Sequence, residues 1–235
     1  MIEFYKFVPQ FGLRDASPFC LKLMTYLKLA EVPHNTHEIM DPRKAPKQKM
    51  PFIIDDGKEV GDSEIIIVHL KEKYGDPLGE GLTDEQKAVG HAFNVMLAER
   101  YYWAGMVYPR WMVKENQLTI KEAWFGSVPA PLRGFISGMV FKDVAKRSQG
   151  HGIGKHDQKD IYAMAMSDLR AVEAQLGDKD FMLDDQPREL DATAYAFLAN
   201  TVCKNFEMPM RTYVESSPKL MAYIDRVDEA AFGSE

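Results

Sequence analysis

The sequence predicts a small α/β domain followed by a larger all-helical one. Three observations carry that expectation. Strand and helix signals alternate over the first 75 residues. Gly75, Pro77, Gly79 and Gly81 then crowd a short linker. Beyond the linker the strand signal fades into long amphipathic patterns. As domain bounds this gives residues 1–76 and 83–235.

The first strand is expected at Ile2, Phe4 and Val8, with Tyr5 and Phe7 on the opposite side and Pro9 ending it. Gln10 to Ala16 is a polar loop. Ser17 is suited to cap a helix, and Pro18 to its first turn, where a missing N–H costs nothing. Leu21, Met24, Tyr26, Leu27 and Leu29 carry that helix to about Ala30. A second strand spans His34 to Ile39. Asp41 to Lys49 holds two prolines and four basic side chains and reads as an exposed connection. Pro51 to Ile54 is a third strand. Asp55-Asp56-Gly57-Lys58 is a hairpin turn, since Asp-Gly supplies positive φ, and Glu59 and Val60 open a fourth strand. Ser63 is expected to cap a helix through Lys73, with Ile66, Ile67 and Leu70 inward.

In the second half, Thr83 and Gln86 form a capping box for a long helix running to about Lys114. Gln117 to Ala130 is ambiguous, with Pro129 and Pro131 as breaks. Further helices are expected over Leu132 to Arg147, Asp157 to Leu176, Asp191 to Cys203 and Pro218 to Ala231, with Gln149 to His156 as a loop.

Composition narrows the function. Hydrophobic residues are 46% and charged residues 27%, an ordinary globular balance. The net charge of −6 and the lack of a basic block argue against nucleic acid as a partner. No apolar run reaches about 18 residues, so no membrane span is expected. Met1 to Val8 does not read as a signal peptide. Cys20 and Cys203 do not form a disulfide framework, and a reducing cytoplasm is the expected compartment.

Ser17-Pro18-Phe19-Cys20 sits at a strand-loop-helix junction, where free N–H groups and the helix dipole favour an anion. Serine at the first position disfavours dithiol chemistry, but its hydroxyl can donate to a thiolate and lower its pKa. A plain N-cap is the competing role. Cys20, one turn in, is expected to face the core. Met50-Pro51-Phe52 opens a strand, and Asp62-Ser63-Glu64 follows twelve residues after Met50 at a helix start.

This ordered set resembles the thioredoxin-like N-terminal domain of glutathione transferases, and the all-helical remainder has the length and order of that family's C-terminal domain. Ser17-Pro18-Phe19-Cys20-Leu21-Lys22-Leu23 and Gln149-Gly150-His151-Gly152-Ile153-Gly154-Lys155-His156 are similar to the failed-axon-connections and metaxin-like branch. The resemblance implies a cis Pro51. It implies Met50 as the backbone contact to the cysteinyl part of glutathione, and Asp62 and Ser63 as holders of the γ-glutamyl end. Lys49, or Gln48, is then within reach of the glycyl carboxylate, and Ser17 takes the place of the catalytic serine or cysteine. Asp191 corresponds to the acid that fixes the start of the central helix, although Arg188 stands where Ser or Thr is usual.

The resemblance implies glutathione as co-substrate and no metal. It implies a cytoplasmic homodimer in detoxification that joins glutathione to a small hydrophobic epoxide, halide or activated alkene. Tyr5 is the runner-up activator, because some transferases use a tyrosine on the first strand. Tyr108 and Trp111, in the aromatic stretch that also holds Tyr101, Tyr102, Trp103 and Arg110, are the expected electrophile-pocket residues; aromatic helix faces are more often core. His151 and His156 do not make a metal site by their spacing alone and read as part of a solvated loop. The rival functions are a non-catalytic binding or assembly module and a thiol reductase using Cys20. With no C-terminal apolar anchor in the sequence, a membrane-attached metaxin role is not expected, and no membrane partner is expected.

Overall fold

The computed structural model describes residues 1–233 of the chain. The strands are β1 (Ile2–Phe7), β2 (His34–Ile39), β3 (Phe52–Asp55) and β4 (Lys58–Gly61), in the order β2-β1-β3-β4. β1 runs parallel to β2 and antiparallel to β3, and the β3–β4 hairpin closes on the expected Asp-Gly turn. Helices α1 (Pro18–Leu29) and α2 (Ser63–Tyr74) pack on the sheet. Ile2, Phe4, Ile53 and Val60 meet Leu23, Tyr26, Leu27, Ile66, Ile67 and Leu70 in one buried cluster.

β1 ends at Phe7, one residue before the expected Val8, and its third inward position is Lys6. That amine is buried without being orphaned. It donates to the carbonyls of Phe7 (3.1 Å) and Arg14 (3.3 Å) and pairs with Glu38 (3.0 Å). Asp62, and not Ser63, caps α2. Its side chain accepts the Glu64 N–H (3.0 Å), which places Ser63 inside the helix as its first residue.

The remainder is helical. α3 (Asp84–Val95) starts on the Thr83–Gln86 capping box and continues without a break as a π-helical stretch, Met96–Met112. Close approach fixes Gly105 there, because a Cβ would lie 2.5 Å from the Tyr101 ring. The stretch read as ambiguous is a helix, α4 (Lys114–Phe125). The prolines after it start the next helix, since a first turn needs no proline N–H: α5 is Ala130–His151. The expected loop at Gln149 to His156 is therefore half helical. α5 ends at Gly152, whose φ of 102° gives the left-handed cap, and a 3-10 turn spans Ile153–Lys155. α6 (Gln158–Leu176), α7 (Glu189–Thr201) and α9 (Pro218–Phe232) follow expectation, and α8 (Pro209–Ser216) is an addition.

α7 is the hub. Residues Leu190 to Thr201 are all buried. Asp191 accepts the Met182 N–H, the Arg188 N–H and the Tyr223 hydroxyl, so the substitution at Arg188 costs the cap little. Arg188 instead forks onto Asp184. Two faces of α1 join the halves: Leu23, Tyr26 and Leu27 pack toward the sheet, while Leu21 belongs to the helical core.

Candidate functional site: the N-termini of α1 and α2

The register Tyr5–Phe52–Gly61 lines up the exit of β1, the entry of β3 and the exit of β4 at one end of the sheet. The Ser17 loop, the Met50–Pro51 bond and Asp62–Ser63 therefore meet. The Met50–Pro51 bond is cis. The Asp62 N–H donates to the Pro51 carbonyl (3.4 Å), tying the proline loop to the start of α2. Cys20 packs with Met50 and Phe52, tying the same loop to the first turn of α1.

Ser17 is half-buried and caps α1: its Oγ accepts the Cys20 N–H (3.4 Å). The acceptor side of the hydroxyl is thus engaged and its proton is available to a neighbouring anion. The unpaired N–H groups of the first turn add positive potential at the same point. Cys20 has no exposed surface, and burial pushes its thiol well above the ordinary range.

The loop is braced from behind. Asp15 is fully buried, and its carboxylate accepts the Phe7 N–H (3.1 Å) and the Ser17 N–H (2.8 Å). Burial, only partly offset by those donors and by Lys6, pushes its pKa up to about 7. The buried Arg110 guanidinium donates to the carbonyls of Ala16 (3.0 Å) and Asn200 (2.6 Å) and to Asn200 Oδ1 (3.1 Å). Asn200 donates in turn to the Asp15 carbonyl (3.3 Å). The π-helical stretch and α7 therefore hold the backbone on which Ser17 sits.

Asp62 and Ser63 present differently. Asp62 is exposed with a φ of 91°, Ser63 is buried, and Glu64 joins a network with Lys22 and Asn94. Lys22 has 1% of its surface exposed; it donates to Glu64 and to Asn94 (2.9 Å), and Thr193 donates to the same Asn94 oxygen (2.7 Å). Gln48 and Lys49 are exposed on the loop before the cis bond.

Most of the other sequence-derived residues are held by ring contacts, and Tyr5 also packs against the Cys20, Met50 and Phe52 cluster beside this junction. Tyr5 faces the second side of the sheet, its ring stacked on Phe52 (4.3 Å) and on His37 (4.7 Å). Tyr108 meets Tyr162 edge-on (6.0 Å), and Trp111 meets Phe141 (5.9 Å). Tyr162 lines an open cleft of about 700 Å³ with Met166, Met208 and Tyr213. Among the described residues, four rings of the helical half reach the N-terminal half: Tyr102 and Phe197 against Phe19 (4.7 and 5.8 Å), Trp124 against Phe7 (5.0 Å) and Phe206 against Phe11 (4.9 Å). His151 stacks on Trp103 and His156 is exposed. Among the described residues no group of three His, Cys, Asp or Glu side chains could hold a metal ion.

Sequence reasoning passed over Asp15, Asn200 and Trp124. Asn200 carried a signal, being a carboxamide inside a largely apolar helix; Asp15 was hidden in a polar loop and Trp124 in the ambiguous stretch.

Two family descriptions match this chain: the glutathione S-transferase N-terminal domain over residues 18–116, and the glutathione S-transferase C-terminal domain over residues 165–227. The chain belongs to the glutathione transferase superfamily. It is 29% identical to isoprene-epoxide–glutathione S-transferase of Rhodococcus sp. (strain AD45), over 97% of this chain and 98% of that one. It is 30% identical to Failed axon connections of Drosophila melanogaster, covering 99% of this chain and 58% of that protein. Identity to Metaxin-3 of Xenopus laevis is 21%, covering 100% and 78%. Among solved structures, a glutathione S-transferase of Ceriporiopsis subvermispora in complex with glutathione superposes with a TM-score of 0.66 at 16% identity, covering 97% of each chain.

Proposed function

We propose that this member of the superfamily is a transferase that adds the glutathione thiolate to a small hydrophobic electrophile such as an epoxide, a halide or an activated alkene. The observation that carries the reading is the convergence of Ser17, the cis Met50–Pro51 bond and Asp62–Ser63 at one end of the sheet. The full-length similarity to a relative named for isoprene epoxide supports the electrophile class.

In this reading residues 1–76 bind glutathione. Met50 pairs its backbone with the cysteinyl unit. Ser63 receives the γ-glutamyl carboxylate at the N-terminus of α2, Asp62 faces the ammonium, and Lys49 or Gln48 meets the glycyl end. The sulfur lies over the α1 N-terminus, where the Ser17 hydroxyl and free N–H groups hold the thiolate at neutral pH. Residues 83–235 carry the electrophile site, with Tyr108 and Trp111 as wall residues. The protein acts as a cytoplasmic homodimer.

A second reading, a non-catalytic binding or assembly module, is supported by the similarity to Failed axon connections and Metaxin-3. The complete burial of Cys20 argues against the reductase reading. Calorimetry and turnover separate them. Ser17→Ala is expected to keep glutathione affinity while conjugation of a small epoxide falls about 10²–10⁴-fold. Unchanged turnover would remove Ser17 from the mechanism, and no heat of binding at millimolar glutathione in the unmodified protein would favour the module.

A further inference from the structure

The segment 117–164 falls between the two family matches, and it contains most of α4 and all of α5. Its inner surface is partnered: Trp124 meets Phe7 and Phe141 meets Trp111. Its outer surface is not. Phe135, Met139, Lys142, Lys146 and Gln149 follow one another at spacings of four and three along α5, so they form a single stripe. Leu132 prolongs it toward the N-terminus. The stripe is exposed throughout and changes character along its length. Leu132, Phe135 and Met139 are 55%, 67% and 50% exposed. Lys142, Lys146 and Arg147 occupy the next turns, and neither lysine has a side-chain partner among the described residues, while Arg147 pairs with Asp143 (2.7 Å).

The charge is segregated too. α5 carries Arg133, Lys142, Lys146 and Arg147 against the single carboxylate Asp143, a net of +3 on a chain whose net is −6. An apolar ridge beside unpaired cations suits a surface that is oily below and anionic above. Like charge on both copies opposes self-association through this face. The apolar part of the ridge is three residues of one helix, Leu132, Phe135 and Met139, whereas a protein interface of standard size needs a broad complementary patch; a fluid lipid surface adapts to a ridge. From Phe135 to Lys146 the helix rises about 16 Å, and the apolar half is long enough to reach the headgroup–acyl boundary.

We propose that α5 docks this protein peripherally on an anionic lipid surface, with Leu132, Phe135 and Met139 entering the acyl boundary and Lys142, Lys146 and Arg147 lying against the headgroups. This is contact and not crossing; no helix of the described residues is long and apolar enough to span a membrane. The proposal is independent of the activity above, because it concerns a surface outside the glutathione site.

Co-sedimentation of the full chain with phosphatidylcholine vesicles, with and without phosphatidylserine, tests it. Binding is expected to the anionic vesicles and to weaken as salt rises. F135E/M139E should lower partitioning at least tenfold. K142E/K146E should lower it about 25-fold and flatten the salt dependence, at roughly fivefold per lysine. All four positions are exposed, and circular dichroism checks that both variants stay folded. Equal binding to neutral and anionic vesicles, no binding to either, or binding unchanged in F135E/M139E would each overturn the proposal. A concentration-dependent dimer in sedimentation velocity that F135E/M139E abolishes, without vesicle binding, would assign the ridge to a second copy. Retention on polyglutamate that needs the lysines and ignores Phe135 and Met139, again without vesicle binding, would assign it to an acidic protein.

Discussion

The two helix starts that define the site are built in opposite ways. α1 begins in relaxed backbone: Ser17 has a φ of −89°, and its strain-free cap is backed by buried Asp15, Arg110 and Asn200. α2 begins in strained backbone: Asp62 has a φ of 91°, is exposed, and leans on the Pro51 carbonyl. The first is fixed by buried charge and hydrogen bonds from the helical half. The second keeps its carboxylate in reach of solvent, at a local conformational cost. A reactive group profits from fixed geometry, and a ligand-holding carboxylate from accessibility; the contrast matches the roles proposed for Ser17 and Asp62.

The largest effect that can break this comparison comes from Asp15. Its carboxyl titrates near 3.8 when unfolded and at about 7 in the folded chain. The sign follows: protonated Asp15 is favoured in the fold, so its contribution is fully present below about pH 4 and is lost as pH rises to about 7. In Asp15→Asn that dependence disappears. The stability of the unmodified chain relative to the variant should fall between those limits by up to about 4 kcal/mol, at roughly 1.4 kcal/mol per pH unit. Urea unfolding of both proteins across pH 4–8 measures it. A pH-independent difference would show that Asp15 stays ionised, and the brace would then be a carboxylate held by the Phe7 and Ser17 N–H groups.

Arg110 comes next. Replacing it by Met keeps volume but strands the Ala16 carbonyl and both Asn200 oxygens. Leaving buried acceptors unpaired should cost about 2–4 kcal/mol. If Arg110 positions the Ser17 loop, kcat should fall with little change in glutathione affinity. A variant that loses stability and keeps kcat per folded molecule would reduce Arg110 to a structural tie.

Asp62 sharpens the contrast from the other side. Asp62→Gly removes the cap and relieves the positive φ, so stability should stay within about 1 kcal/mol of the parent, whereas Asp62→Ala loses the cap and keeps the strain, at about 1–2 kcal/mol. Both should weaken glutathione binding by at least about tenfold, since both lose the charge proposed to face the ammonium. Equal stability loss in the two variants would mean that the observed φ carries no strain.

The contrast also explains what was legible in the sequence. Local chemistry announced itself: Ser-Pro at a helix start, Asp-Gly at a turn, Thr-x-x-Gln at α3, and the spacing from Pro51 to Asp62-Ser63. Each is decided by a few neighbouring residues. The bracing was not legible, because Lys6, Asp15 and Arg110 look like surface residues and Asn200 signals burial without naming its partners; the Asn200–Asp15 bond alone spans 185 residues. The cap of α2 was misassigned to Ser63 for a related reason. Asp and Ser are both good caps, and the choice depends on Asp62 accepting a positive φ that sequence does not show. Prolines 129 and 131 read as breaks because the same residue ends one helix and begins the next, and the downstream turn decides between them.

Tyr5 gives the smallest expected effect and the cleanest test of which side of the sheet is chemical. Its ring is fixed between Phe52 and His37 on the face away from α1 and α2, and its hydroxyl has no hydrogen bond among the described residues. Tyr5→Phe keeps both stacking contacts and removes only an oxygen without a partner. Stability should therefore change by less than about 0.5 kcal/mol, and conjugation rate by less than about twofold. Steady-state kinetics on Tyr5→Phe beside Ser17→Ala makes the comparison direct, since each variant removes one hydroxyl and leaves the backbone alone. A loss of about a hundredfold in Tyr5→Phe, with Ser17→Ala near the parent rate, would move thiol activation from the α1 N-terminus to the strand and leave the buried brace behind Ser17 with a purely structural task.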